Sequence, residues 1–174
     1  VPVIHSAAFH DYQQLLQFSA AKHPVLVIGK RVTAGQLIVE LYQRQLRCLL
    51  SVKAPVEYRR HGTIAGMREQ VYFFWEELQL WLHPGLKRNS YPVMDGGLTQ
   101  QLIESGEVEV MLPVLSVTAG EVLFTNQQRR HCAAIICATG YNPSLGLLQP
   151  LLNLAPSEVP AVFQYEVEGL PNLF

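Results

Sequence analysis

Two apolar runs that stop at glycine are the segments of this chain best suited to bind a ligand. The first is Val25-Leu-Val-Ile-Gly29, and the second, residues 131–141 (HCAAIICATGY), reaches Gly140. Such a run indicates a central strand of a parallel sheet, because both faces of the strand are covered and the chain turns sharply at its carboxyl end. Ligands of open α/β sheets bind at that edge, so the two runs predict a nucleotide-binding domain.

The segments around the first run predict the elements that would position this site. Val25–Ile28 is predicted as a strand, and a helix follows with one apolar stripe at helical spacing, namely Ala34, Leu37, Ile38 and Leu41. Residues 47–52 are predicted as a second strand, parallel to the first and reached by a right-handed crossover. This pattern is the first half of a Rossmann unit.

The rest of the chain predicts one long helix, one short helix and further strands. A helix is predicted over residues 67–82. We interpret its apolar side as core, as a contact with a neighbouring domain, or as a contact with a second subunit. This side consists of Met67, Val71, Phe74, Trp75, Leu78 and Leu82. A helix near residues 98–104 precedes strands over 108–111, 115–118 and 121–125, which are expected to form an antiparallel meander. Residues 131–138 return as a buried strand. The predicted fold class is α/β, a Rossmann-like three-layer nucleotide-binding domain with a parallel sheet and a small antiparallel β-meander.

Composition narrows the function classes. The 174 residues are 49% hydrophobic and 16% charged with a net charge of -1, which gives no global field for nucleic acid or anionic lipid. No apolar run approaches the roughly 18 to 20 residues of a membrane span, and no signal peptide is recognisable. Cys48, Cys132 and Cys137 lie in apolar runs, which favours buried reduced thiols over disulfides or a metal site. We expect a cytoplasmic piece of a larger protein.

Several segments, in order along nearly the whole chain, resemble the class B flavin-dependent monooxygenases, including the plant auxin-forming and animal drug-metabolising branches. His5-Ser-Ala-Ala-Phe9 resembles the end of the fingerprint F-x-G-x-x-x-H-x-x-x-(F/Y/W), and residues 25–29 resemble the second dinucleotide-binding strand. Residues 91–97 (YPVMDGG) and 104–110 (ESGEVEV) are similar to the P-V-L-D-x-G and K-S-G-x-I-x-V segments. Residues 138–141 match the A-T-G-Y motif at the exit of the nicotinamide domain.

This resemblance implies a domain plan and an activity. Residues 1–22 would link from a flavin domain, residues 23–141 would form the NAD(P)H-binding domain, and residues 142–174 would return toward the flavin domain. In the parent enzyme NADPH reduces FAD, and a flavin hydroperoxide oxygenates a small-molecule substrate. FAD would bind mostly to parts of the parent outside this sequence. The partners of this chain would be NADPH and the flavin domain. The chain alone is not expected to catalyse this reaction.

The predicted phosphate turn departs from the family pattern G-x-G-x-S-G/A. It reads Gly29-Lys30-Arg31-Val32-Thr33-Ala34, so that Arg31 stands where a glycine admits the pyrophosphate. On one interpretation Arg31 swings outward and adds charge to the phosphate site, while the helix amino end still offers N–H groups to the anion. On the other, the site has lost nucleotide binding. Thr33 replaces the family serine and is expected to cap the helix, to contact phosphate, or both.

Basic residues after the second strand bear on the choice of nucleotide. The resemblance places a residue that binds the adenosine 2'-phosphate at Lys53, and Arg59, Arg60 and His61 follow. This favours NADPH over NADH, since an acidic residue there would bind the ribose diol. A solvated basic loop explains the same residues equally well.

At the other strand end, residues Ala138, Thr139 and Gly140 are expected to turn the chain beside the nucleotide, although a simple strand-end turn would look the same. His5 would orient the cofactor or mark the hinge between domains, or would be structural. Glu76, Glu77 and Asp95 are interpreted as structural.

Two other functions remain open. One is the pyridine-nucleotide domain of another two-dinucleotide flavoprotein, such as a disulfide reductase, although Cys132 and Cys137 do not form the redox pair of that class. The other is a non-catalytic Rossmann-like scaffold or regulatory module that has lost nucleotide binding.

Overall fold

The computed structural model describes residues 1–9, 23–58, 69–82, 93, 95–141, 162–163 and 166–167, in two compact units. The first unit is Val1–Ile64 with Ser90–Gly140, and the second is Ala65–Asn89 with Tyr141–Phe174. In chain order the elements are β1 (Val3–His5), β2 (Val25–Ile28), α1 (Val32–Gln43), β3 (Cys48–Ser51), α2 (Glu69–Leu82), α3 (Leu98–Glu104), β4 (Glu109–Met111), β5 (Val114–Thr118), β6 (Glu121–Phe124), β7 (Arg129–His131), β8 (Ala134–Cys137), β9 (Val162–Phe163) and β10 (Glu166–Val167).

The first unit is built on a five-stranded sheet in the order β1-β8-β2-β3-β4, and each pair of neighbours is parallel. Its central strands are the apolar runs of the sequence, and Leu26 and Val27 are fully buried. Because α1 connects two neighbouring parallel strands, its apolar stripe packs on one face of this sheet. The residues predicted for that stripe are all buried there: Ala34, Leu37, Ile38 and Leu41.

The opposite face is covered by a separate antiparallel sheet in the order β5-β6-β7. Val122 and Phe124 of this sheet are fully buried in a second core cluster together with Leu26, Leu49 and Ile135. Odd and even positions of the parallel strands thus point into different cores, as a sheet covered on both sides requires. The predicted three-layer Rossmann-like fold is confirmed.

Three strand assignments need correction. Residues 108–111 were predicted in the meander, but β4 joins the edge of the parallel sheet, with Leu50 opposite Val110. The meander takes β7 as its third strand, and the strand predicted over 131–138 begins only at Ala134. The sequence also did not predict β1. Of these strands, β1, β4 and β7 lie at sheet edges, where half-exposed side chains give parallel and antiparallel strands the same short amphipathic pattern.

The second unit contains α2, which confirms the predicted helix but not its interpretation as core. The described apolar side chains are largely exposed, with Phe74 at 68% and Trp75 at 54%. Helical periodicity identifies the apolar side of a helix but not what covers it. A contact with another domain or subunit therefore remains a prediction. The other described strands of this unit, β9 and β10, pair antiparallel with each other.

All three cysteines are free thiols, and Cys48 and Cys132 are buried. Burial raises the pKa of each of these two thiols to about 11. Within the described parts of the chain, no helix is long and apolar enough to cross a membrane.

Candidate functional site

The carboxyl ends of the parallel strands are level. Ile28, the last residue of β2, lies opposite Ser51 of β3 on one side and opposite Cys137 of β8 on the other. Beyond β8, His5 of β1 lies opposite Cys137. The connection from β2 runs through α1 over one face, whereas the chain reaches β8 from the meander on the other face. A crevice at this edge between β2 and β8 is the position where doubly wound sheets bind ligands.

Gly29 packs closely against Ala138 at this edge. Its N–H donates to the Ser51 carbonyl at 3.1 Å, and the Ala138 N–H donates to the Ile28 carbonyl at 2.8 Å. A Cβ on Gly29 would lie only 2.4 Å from the carbonyl oxygen of Ala138. Glycine is therefore required here by backbone packing as well as by any close approach of a ligand.

The amino end of α1 faces the same edge, and its cap differs from the prediction. Arg31 occupies the N-cap position with extended backbone (φ -121°) and makes no side-chain cap hydrogen bond. Thr33 lies inside the first helical turn, so its predicted capping role is wrong: the N-cap is Arg31, two residues earlier, and the helix begins at Val32. The backbone at Arg31 is not left-handed, so an arginine at the second glycine position causes no strain there.

The first turns of α1 pack against Val93 and Thr99 at the position of Gly35. A Cβ on Gly35 would lie 2.5 Å from Cγ1 of the buried Val93 and 3.2 Å from Oγ1 of Thr99. The Thr99 hydroxyl also lies 3.4 Å from the carbonyl oxygen of Gly35. The missing side chain at Gly35 lets α1 approach α3 closely, which fixes where the amino end of α1 points.

Cations and one anion gather at this edge. The Lys30 ammonium donates to a carboxylate oxygen of Glu57 at 3.0 Å, and the Glu57 side chain is 60% exposed. That hydrogen bond and the charge of Lys30 hold the pKa of the Glu57 carboxyl below its ordinary value; desolvation opposes them, and the charge of Arg31 adds a lesser lowering effect. Sequence reasoning missed Glu57. The only feature of the sequence that pointed to Glu57 was its position shortly after the second predicted strand, beyond Lys53 in the chain.

The remaining predicted site residues divide into those at the edge and those outside the described part of the chain. Lys53 is exposed two residues beyond Ser51, the end of β3, just as Lys30 stands two residues beyond Ile28, the residue of β2 that pairs with Ser51. Ala138 is buried beside Gly29, whereas Thr139 and Gly140 are exposed and Gly140 has a left-handed φ of +99°. Ala34 is buried against the sheet. Arg59, with Arg60 and His61, lies outside the described residues.

His5 connects two chain segments at the same carboxyl edge of the sheet. Its Nδ1 accepts the N–H of Ala7 at 3.2 Å, and its Nε2 lies 3.0 Å from the carbonyl oxygen of Gly140. Since Nδ1 is the acceptor, Nε2 carries the proton and donates. The imidazole therefore joins the end of β1 to the turn after β8.

Asp95 is structural, as predicted. Its carboxylate accepts the N–H groups of Gly97 at 3.1 Å and Thr99 at 2.9 Å, and it also accepts the Thr99 hydroxyl. These bonds satisfy the amino end of α3. Glu76 and Glu77 lie in α2 with side chains outside the described set. Among the described residues, no cluster of His, Cys, Asp or Glu could hold a metal ion.

A groove of about 390 Å³ lies on the meander, away from the predicted motifs. Glu121 there pairs with Arg129 at 2.7 Å and lies 4.0 Å from Nε2 of His131. The groove is open, and its strongest charges already neutralise each other.

No protein-family model and no curated protein sequence matches this chain. Solved structures do. A flavin-containing monooxygenase from Stenotrophomonas maltophilia is similar with a TM-score of 0.61 at 18% identity, over 97% of this chain and 42% of that chain. An ornithine N-hydroxylase from Kutzneria sp. 744, with reduced FAD, NADP+ and L-ornithine, gives 0.54 at 14% identity over 87% and 43%.

A NAD-dependent persulfide reductase from A. fulgidus gives a TM-score of 0.51 at 12% identity, over 85% of this chain and 23% of that chain. This chain thus spans less than half the length of each of these proteins. The likenesses show a fold shared with flavin monooxygenases and pyridine-nucleotide oxidoreductases, as the sequence motifs predicted.

Proposed function

We propose that this chain is the NADPH-binding domain of a flavin-dependent monooxygenase-like oxidoreductase. The observation that carries the proposal is the edge of the parallel sheet, where Gly29 closes on Ala138 beside the amino end of α1. Lys30, Arg31 and Lys53 bring positive charge to that edge. A dinucleotide phosphate is the anion that such a strand-turn-helix is suited to bind.

The described residues fit the nucleotide. The pyrophosphate would lie at the first turn of α1, where backbone N–H groups point out of the helix and the Thr33 hydroxyl is close by. Arg31 would add charge to it from the N-cap position. Lys53 would bind the adenosine 2'-phosphate from the end of β3; Arg59, which lies outside the described residues, is proposed to bind it as well. Ala138, Thr139 and Gly140 would border the nucleotide on the β8 side.

The wider assignment follows the family resemblance. We propose residues 23–141 as the nucleotide domain, and residues 1–22 and 142–174 as the connections with a flavin domain that binds FAD elsewhere in a cytoplasmic parent protein. The connection at residues 1–22 contributes β1 to the parallel sheet. Bound NADPH would supply the hydride that reduces the flavin, before oxygenation of a small organic substrate. The chain's own residues would bind the nucleotide, orient it, and help exclude water from it.

Two alternatives have specific support. The position of Arg31 at the second glycine, and the engagement of Lys30 by Glu57, favour a Rossmann-like module without nucleotide binding. The likeness to the persulfide reductase favours the nucleotide domain of another flavoprotein. Against the latter, burial raises the pKa of the Cys132 thiol to about 11, which makes it a poor redox nucleophile.

Calorimetric titration of the chain with NADPH and NADH tests the proposal. We expect micromolar binding of NADPH, weaker binding of NADH, and about tenfold weaker NADPH binding in Lys53→Ala, because one charged phosphate contact is lost. Arg47→Ala, an exposed cation just before β3, is the matched control and is expected to bind as the wild type does. A folded sample that binds neither nucleotide would favour the module without nucleotide binding.

A further inference from the structure

The ion pair between Lys30 and Glu57 spans the junction of β2 and β3. Lys30 belongs to the turn after β2, and Glu57 belongs to the segment after β3, the neighbouring strand. In doubly wound sheets the adenosine ribose and its substituents lie at this junction. One of the cations offered to a ligand phosphate is therefore already bound to a carboxylate of the same chain.

Glu57 is held in position by its backbone, whereas its side chain is accessible. The Glu57 carbonyl accepts the N–H of Val93 at 2.9 Å, and Val93 is the buried residue that packs against Gly35 in α1. The Glu57 side chain is 60% exposed and that of Lys30 is 26% exposed. The carboxylate can turn into solvent by rotation of its side chain while the backbone stays in place.

We propose that Glu57 is a specificity-determining residue of the nucleotide site, a carboxylate that occupies Lys30 in place of a ligand phosphate and must be displaced when phosphate binds. This inference rests on the proposed function and deepens it. NADPH carries one phosphate more than NADH, so Glu57 penalises NADPH more, by withholding Lys30 and by repelling the added negative charge. Glu57 therefore reduces the preference for NADPH over NADH that Lys53 creates.

Substitution of Glu57 by glutamine keeps the shape of the side chain and removes its charge. We expect Glu57→Gln to bind NADPH about fivefold more tightly than the wild type at low salt, the size of effect that an exposed ion pair allows. NADH binding should change by less than about twofold, and the gain should shrink at high salt. Glu109→Gln is the matched control, since Glu109 forms a comparable exposed ion pair with Arg130 at 3.1 Å.

A double variant separates this role from a general structural effect. If Glu57 acts by withholding Lys30, most of the gain from Glu57→Gln should disappear in a Lys30→Met background. An equal gain with and without Lys30 would overturn the proposed route through Lys30. Circular dichroism of each variant checks that the fold is kept.

Inorganic pyrophosphate, titrated into the same proteins, distinguishes failure of this inference from failure of the proposed function. NADPH binding that is equal in wild type, Glu57→Gln and Glu109→Gln overturns the inference and leaves the proposed function intact. A gain in pyrophosphate binding by Glu57→Gln, with no nucleotide binding by any variant, supports the role of Glu57 and overturns the proposed function. If Glu57→Gln binds neither pyrophosphate nor nucleotide, both are overturned.

Discussion

Gly29 and Ala138 meet backbone to backbone where β2 and β8 end. A Cβ on Gly29 would lie 2.4 Å from the carbonyl oxygen and 3.1 Å from the Cβ of Ala138. The two glycine-terminated runs of the sequence are thus not two separate turns but two sides of one close contact. The contact forms the floor of the proposed nucleotide crevice, so its integrity affects both stability and binding.

Replacement of Gly29 by alanine is expected to lower the free energy of unfolding by about 2 to 3 kcal/mol, because backbone must move to admit the methyl group. Gly106→Ala is the control. Gly106 also has a positive φ, +79°, but no atom lies within 4 Å of its added Cβ, so only the backbone cost of about 1 kcal/mol applies. Urea unfolding of both variants measures the difference. Equal losses would show that the approach of Ala138 does not constrain Gly29.

The hydrogen bond from His5 to Gly140 predicts a single tautomer of the imidazole. Nitrogen NMR of the folded chain should show the proton on Nε2, since Nδ1 accepts the N–H of Ala7. His5→Ala should lower the free energy of unfolding by about 1 kcal/mol through loss of this bond. His131→Ala, which replaces a more exposed histidine of β7, should lower the free energy of unfolding by less. A proton on Nδ1 would contradict the assigned geometry.

Burial of Cys48 predicts a loss of stability at alkaline pH. Its pKa is raised from 9.0 to about 11, so between these values the unfolded chain releases a proton that the folded chain keeps. The folded state binds more protons in this window, and the free energy of unfolding therefore falls as pH rises from 9 to 11. Cys48→Ala should reduce this fall by about 2 kcal/mol. Urea unfolding across the window measures it, and parallel curves for wild type and variant would refute the prediction.

Arg31 distinguishes a working site from a lost one. If its guanidinium contributes charge to the pyrophosphate, Arg31→Gln should weaken NADPH binding about threefold and reduce its salt dependence. The control is Arg44→Gln, at the other end of α1, where Arg44 pairs with Glu40 at 3.5 Å. Tighter binding by Arg31→Gln, measured by the same calorimetry, would mean that the arginine side chain obstructs the phosphate.

The sequence predicted the centre of the fold better than its edges. Residues 25–28 and the α1 stripe carry unambiguous patterns, because a strand covered on both faces is continuously apolar and a helix on a sheet is apolar at one spacing. By contrast, β4 has only three residues, and its exposed Glu109 and Val110 resemble a meander strand. Which partner such a short strand takes depends on contacts distant in sequence.

The candidate site was predictable in the same uneven way. Gly29 and Ala138 follow from strand ends alone. The ion pair of Lys30 with Glu57 does not, because a distance between two loops is fixed only once β2 and β3 are neighbours and Val93 holds the Glu57 segment. The Thr33 cap was misplaced for a local reason, since the start of a helix is uncertain by a residue or two when no side chain marks it.

The central claim is that a nucleotide binds at the carboxyl edge between β2 and β8, and amide NMR of the labelled chain during titration with NADPH tests it most directly. We predict the largest shift changes at the amides of Gly29, Arg31, Thr33 and Gly140, with little change at Ser116 and Thr118 in the groove of the meander. Saturable changes confined to the meander groove, or no changes in a folded sample at millimolar NADPH, would contradict it.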